Sequence, residues 1–203
     1  MRSRMFVGAA GLLLVGLTAC TQEPGTAAGE TPYRITATIQ DIMDAQIDPA
    51  ADEIWNSVAS IVTKSGIEER QPRTDEEWEA VRLKALLVIE GANLLMMPGR
   101  RVVAEGKPLD PAELAGETPA DIQKAMETNR AAWIRLAQGL HDAGMGVLRA
   151  IEAKNVPQLI ETGETLDTAC ENCHSTFWYP NAPPRLEGYD SPSQPEPGKE
   201  GAK

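Results

Sequence analysis

The sequence predicts an all-α fold, an antiparallel four-helix bundle, for residues 34–179. Three observations lead there. Between Arg34 and Trp178 apolar residues recur at alternating intervals of three and four, the period of helices that each bury one face. Prolines, glycines and capping residues divide that pattern into four segments. Aromatic residues make up only 4% of the chain, which suits helices packed through Leu, Ile, Val, Ala and Met.

The first helix is expected over Ile35 to Val62, with Ile35, Ile39, Ile42, Met43, Ile47, Ile54, Val58 and Ile61 on its apolar stripe. Asp48-Pro49 should kink or break it, because proline lacks an amide and the residue before it avoids the helical region. Asp48 as N-cap with Pro49 following would then start a fresh segment. Gly66 to Arg73 reads as a connection. Thr74-Asp75-Glu76-Glu77 has the capping-box form, and Trp78, Val81, Ala85, Val88, Ala92 and Leu95 make a bundle seam behind it. This second helix should stop at Met97, ahead of Pro98-Gly99.

Arg100 to Thr118 reads as a long crossover loop. Helix three should start at Thr118-Pro119 and run as one piece to about Asn155. Its stripe is Ile122, Met126, Asn129, Trp133, Leu136, Leu140, Ala143, Val147 and Ala150, with Asn129 the one polar intruder. Asn155 caps helix four, whose stripe of Leu159, Gly163, Leu166, Cys170, Cys173 and Phe177 runs to about Trp178.

On either side of this domain the composition changes. Arg2 and Arg4 precede an uncharged run from Met5 to Leu17, too short to span a bilayer comfortably, so residues 1–19 read as a cleaved signal peptide. Its end, Leu17-Thr18-Ala19-Cys20, resembles the lipobox of bacterial lipoproteins. That resemblance implies that Cys20 becomes a lipidated N-terminus on the periplasmic side of a membrane. Thr21 after it resembles lipoproteins sorted to the outer membrane, and acyl chains at about 0.8 kcal/mol per buried CH₂ would hold the anchor in place. Residues 20–33 have too little apolar content to fold and read as a tether. Residues 180–203, rich in Pro, Gly and Glu, read as a disordered acidic tail.

The motif that carries chemistry is Cys170-Glu171-Asn172-Cys173-His174. C-x-x-C-H is the attachment signature of c-type haem. Two thiols add across the haem vinyl groups, and the adjacent imidazole reaches the iron. On a helix these positions are three and four apart and share a face. A zinc site would need more ligands than a chain with no cysteine after Cys173, and with only His141 as a further histidine, supplies. The expected cofactor is therefore one covalent haem c, held on the last helix by thioethers at Cys170 and Cys173, with His174 as proximal iron ligand. The three cysteines are then accounted for, one for lipid and two for haem.

Four amphipathic helices with C-x-x-C-H near the end of the last resemble cytochrome c′. That resemblance implies the same roles for Cys170, Cys173 and His174, and Phe177 matches the family's aromatic three residues after the histidine. Trp178 departs from the arginine usual at the next position. The Asp48-Pro49 break and the segment Asn93 to Arg100 also resemble a group of bacterial c-type cytochromes of no assigned function. In low-spin relatives a methionine of the first helix is the sixth ligand, which makes Met43 the candidate here, against a plain core methionine. Met96, Met97 and His141 are its rivals. Arg100 and Arg101 are either haem-propionate partners or solvent-facing loop charges, the second reading being preferred. Trp55, Trp78 and Trp133 read as packing residues, and Trp178 as cover for an edge of the haem.

A methionine ligand favours electron transfer, and an open site favours NO or CO binding. The expected function is a membrane-anchored periplasmic carrier of single electrons, with no enzymatic activity, since no distal acid–base pair is recognisable. The alternatives are a five-coordinate haem protein binding NO or CO and, from another class, a haem-free structural or metal-binding lipoprotein. The net charge of −11 becomes −13 once Arg2 and Arg4 leave with the leader. Such a surface argues against nucleic acid and for a basic redox partner. The cytochrome c′ resemblance adds a homodimer as a candidate assembly.

Overall fold

A computed structural model describes residues 33–109 and 117–181. The expectations for the leader, for Cys20 and for the tether and tail lie outside the described residues, apart from Tyr33, Pro180 and Asn181. The chain divides after Arg34 into two units, and all the helices and strands below belong to the second, Ile35–Lys203. That unit is mostly helical and carries one small sheet.

Thr38 opens the first helix with a capping box, its hydroxyl accepting from the Asp41 amide and the Asp41 carboxylate accepting from the Thr38 amide. Helix α1 (Ile39–Ile42) passes through a π-helical turn (Met43–Ile47) into α2 (Asp48–Asn56). The expected fresh start at Asp48 is corrected. Asp48 stays helical at φ −60°, ψ −53°, and its amide reaches back five residues to the Met43 carbonyl. Proline at position 49 has no amide to donate, and the widened turn just ahead of it keeps the helix continuous.

The expectation that the first helix runs to Val62 is also corrected. Strands β1 (Ala59–Thr63) and β2 (Gly66–Arg70) form an antiparallel hairpin, with Val62 opposite Ile67 and Thr63 opposite Gly66. Ala59 to Thr63 is rich in β-branched residues and alternates between half-buried and exposed positions. Gly66 supplies the φ of 128° where the chain leaves the Lys64-Ser65 turn.

Helix α3 (Asp75–Leu95) begins with the expected capping box, and all six seam residues from Trp78 to Leu95 are buried. Met96 caps its end and Gly99, at φ 84°, turns the chain. Arg100 then turns inward, 6% exposed, and donates to the carbonyls of Leu94 (2.9 Å) and Ala37 and to the Met97 sulfur (3.3 Å). The solvent-facing reading of Arg100 is thereby corrected. Its guanidinium ties the entry to α1 onto the exit of α3, while Arg101 is exposed.

Helix three is two helices, α4 (Pro119–Thr128) and α5 (Arg130–Glu152), which corrects the single helix expected there. Asn129 sits between them at φ −111°, ψ 41°. Its amide closes α4 on Ala125, and its carbonyl accepts from Ala132 and Trp133 at the start of α5. Asparagine competes poorly for helix interiors, and this one is exposed, so burial does not hold it helical. After Lys154, at φ 48°, the Asn155 side chain accepts from the Gln158 amide and opens α6 (Val156–Phe177).

Helix α5 packs against both α3 and α6, and α2 packs against the same two. Gly146 of α5 faces Thr162 of α6, whereas Trp133 meets Phe177 at 5.4 Å between ring centroids. Numbering falls along one helix as it rises along the other, so this pair is antiparallel. On the other side Gly144 faces Ile89, and the Trp133 indole donates to the Leu95 carbonyl (2.9 Å), which makes α3 and α5 antiparallel too. The amides of Ile39 and Gln40 donate to the carbonyls of Arg101 and Val102. The start of α1, the end of α3, the start of α5 and the end of α6 therefore meet at one end of this unit.

Candidate functional site

At that shared end α6 carries its last two turns. Cys170 and Cys173 are free thiols on half-buried residues packed against the core. The helical spacing of three puts them on one face, continuing the buried stripe of Leu159, Gly163 and Leu166. Burial pushes both thiols up to about 12, so at neutral pH they are protonated. The negative charge of Asp48, across on α2, adds to the rise at Cys170.

His174 is half-buried in the final turn, and its carbonyl accepts from the amides of Trp178 (2.8 Å) and Tyr179 (3.1 Å). Its ring has two aromatic neighbours, Trp178 at 6.0 Å and Tyr179 edge-on at 6.2 Å between centroids. Trp178 is itself buried and stacks on Trp133 at 6.3 Å, beside Phe177. Trp178 thus has a core contact as well as one with the His174 ring. The phenol of Tyr179 donates to Glu171, inside the C-x-x-C-H stretch, at 2.7 Å.

The register of α2 on α6 places Met43. Trp55 donates to the Gly163 carbonyl at 3.0 Å in the first half of α6, whereas the start of α1 lies at the end where α6 stops. The two helices are antiparallel. Met43 lies five residues before Asp48, toward the His174 end, half-buried against the core in the π-helical turn. Two of its rivals, Met96 and Met97, stand at that same end, at the exit of α3. Met96 and His141 line one open cleft of about 340 Å³ between α3 and α5 with Asn93, Gln138 and Asp142, to which no residue of α6 contributes. His141 Nδ1 is 3.4 Å from its neighbour Asp142, and the Met97 sulfur accepts from Arg100.

Among the described residues no three His, Cys, Asp or Glu side chains gather into a metal-binding group. Covalent haem asks for something different, namely two reduced thiols on one helix face and an imidazole beside them. Cys170, Cys173 and His174 supply that donor set, so the residues present fit the group. Three of the five N–H donors of Arg100 are engaged, with the carbonyls of Leu94 and Ala37 and with the Met97 sulfur.

Two features of the site were missed in the sequence. The spacing of eight from Glu171 to Tyr179 spans two helical turns, and Pro180 after Tyr179 marks where the chain can fold back. The influence of the Asp48 charge on Cys170 depends on helix packing and leaves no sequence signal. Among the described residues no helix is long and apolar enough to cross a membrane. No known protein family, curated protein or solved structure matches this chain.

Proposed function

We propose that this chain is a four-helix-bundle c-type cytochrome that carries single electrons. The observation that carries the reading is a pair of unbridged thiols on the inner face of α6 with His174 directly after the second. Cys170 and Cys173 hold haem c through thioethers, and His174 offers an imidazole nitrogen to its iron. Haem bound there supplies a one-electron ferric–ferrous couple. The surrounding Trp133, Phe177 and Trp178 keep water from that end of the core. Met43, in the π-helical turn between α1 and α2 at the same end as His174, would offer its sulfur as a second iron ligand and so close the site. The bundle reading rests on the antiparallel packing of α3, α5 and α6, with α2 as the fourth wall.

The lipobox at Cys20 supports anchoring at the periplasmic side of a membrane, the outer one favoured, and the acidic composition supports a basic redox partner. The test is the visible spectrum of the protein expressed with haem-maturation machinery, recorded oxidised, reduced, and reduced under CO. Sharp reduced bands without a CO response, opened to CO by Met43→Ala, are the expected result. A CO-sensitive wild-type spectrum would replace electron transfer with NO or CO binding, and a spectrum without haem bands would remove both readings.

A further inference from the structure

We infer that Tyr179 is a positioning residue for His174, held in place by Glu171; the inference rests on the haem reading above. The local sequence forces the arrangement. Pro180 disfavours helix at Tyr179, so α6 stops, and Trp178 is anchored in the core against Trp133. The amides of Trp178 and Tyr179 both close on the His174 carbonyl, which turns the chain back over the last helical turn. That turn brings the Tyr179 ring edge-on to the imidazole and its phenol to the Glu171 carboxylate, eight residues upstream, at 2.7 Å. A hydroxyl donating to a carboxylate at that distance is a strong, charge-assisted bond. It fixes the Tyr179 ring in a way that edge contact alone would not.

The imidazole therefore has two aromatic neighbours held in different ways. Trp178 is fixed by burial, while Tyr179, half-buried against the core, has its phenol tied to a residue of the C-x-x-C-H stretch itself. Groups that orient a ligating histidine tune the metal it binds. The Glu171–Tyr179 bond gives two otherwise unremarked residues that role, with no contact to the iron required of either.

The test uses haem-loaded protein and two readouts of axial-ligand orientation, the reduction potential and the g-tensor of the ferric electron paramagnetic resonance spectrum. Tyr179→Phe keeps the ring and removes the donor, and Glu171→Ala removes the acceptor. Both are expected to move the g-values in the same direction, and the double variant no further than either one, while the potential of Glu171→Ala also carries the loss of the carboxylate charge. Glu171→Gln, whose amide oxygen still accepts from the phenol, is expected to restore the wild-type g-values, its potential keeping only the shift due to the lost carboxylate charge. Unchanged g-values in Tyr179→Phe and Glu171→Ala at full haem content would overturn the positioning role while leaving the haem reading intact. So would g-value shifts in the double variant equal to the sum of the single ones. Wild-type protein that takes up no haem would instead remove the reading on which the inference rests.

Discussion

Trp55 donates its indole N–H to the carbonyl of Gly163 across 3.0 Å, joining α2 to α6 at a position where α6 has no side chain. A β-carbon on residue 163 would stand 3.3 Å from Trp55 Cδ1, tighter than ordinary contact, so an added side chain would press on the indole. This contact ties α2 to α6, with Met43 on the His174 side of it. Gly163→Leu should force the helices apart at a cost of about 1–3 kcal/mol. Trp55→Phe, which keeps an aromatic ring and loses the hydrogen bond, should cost about 1 kcal/mol. Urea unfolding midpoints measure both. If Gly163→Leu is as stable as wild type, the close approach does not constrain this packing.

A second close approach lies where α3 passes the π-helical turn. A β-carbon on Gly91 would come within 2.6 Å of Ile47 Cγ1, far inside contact distance. Alanine normally stabilises a helix interior by about 1 kcal/mol over glycine. Here overpacking of about 1–3 kcal/mol should exceed that gain, making Gly91→Ala net destabilising. The double variant Gly91→Ala/Ile47→Ala separates the causes. Its loss of stability should be smaller than the sum of the two single losses, since the alanine at 91 then occupies space that Ile47 vacates. Additive losses would mean that the clash is not the source.

These close approaches also mark where sequence stops informing. The capping box at Thr74, the seam of α3 and the Asn155 cap of α6 are local signals, and each element starts where its signal stands. The hairpin was hidden because Ile54, Val58 and Ile61 continue a helical spacing into residues that favour strand. The β-branched run followed by Lys64-Ser65-Gly66 was the competing signal. At Asn129 a polar residue on an apolar stripe was visible, but the break depends on its being exposed in the folded chain. The inward turn of Arg100 needs the Ala37 carbonyl, far off in sequence, and no spacing announces it. The site divides the same way. Cys170, Cys173 and His174 are legible as a five-residue motif, whereas the influence of Asp48 and the rings neighbouring His174 are products of packing.

The helix starts contribute to the acid limb of stability, alongside Asp75 and Glu79, whose carboxyls Lys154 and Arg82 hold below their usual range. Hydrogen bonds from Thr38, from Arg73 and Thr74, and from Thr118 hold the carboxyls of Asp41, Glu77 and Asp121 below their usual range. As pH falls the unfolded chain takes up these protons first. The stabilisation is therefore complete above the ordinary carboxylate values and is lost as pH falls through the lowered ones. Glu77→Gln should lower stability at neutral pH and flatten the decline toward acid. Thr74→Ala should cost about 1 kcal/mol at neutral pH. Urea titrations across the acid range measure both, and an acid limb in Glu77→Gln as steep as wild type would count against the capping origin.

The two thiols reverse that dependence in the haem-free chain. Burial raises Cys170 and Cys173 from 9.0 to about 12, so over that interval the folded chain keeps protons that the unfolded chain has already released. Their contribution is fully present below pH 9.0 and is lost as pH rises toward about 12. Haem-free protein should accordingly lose stability on the alkaline side more steeply than the Cys170→Ala/Cys173→Ala variant, in which neither group titrates. Protonated, inward-facing thiols should also resist alkylation at neutral pH until the chain opens, so the labelling rate should follow urea-induced unfolding. Once both sulfurs are thioethers there is no proton left to release, and the haem-loaded protein should lack this steepening. Coincident alkaline slopes for the haem-free wild type and the double variant would mean that the folded chain leaves its thiols open to solvent, removing the inward-facing pair on which the haem reading rests.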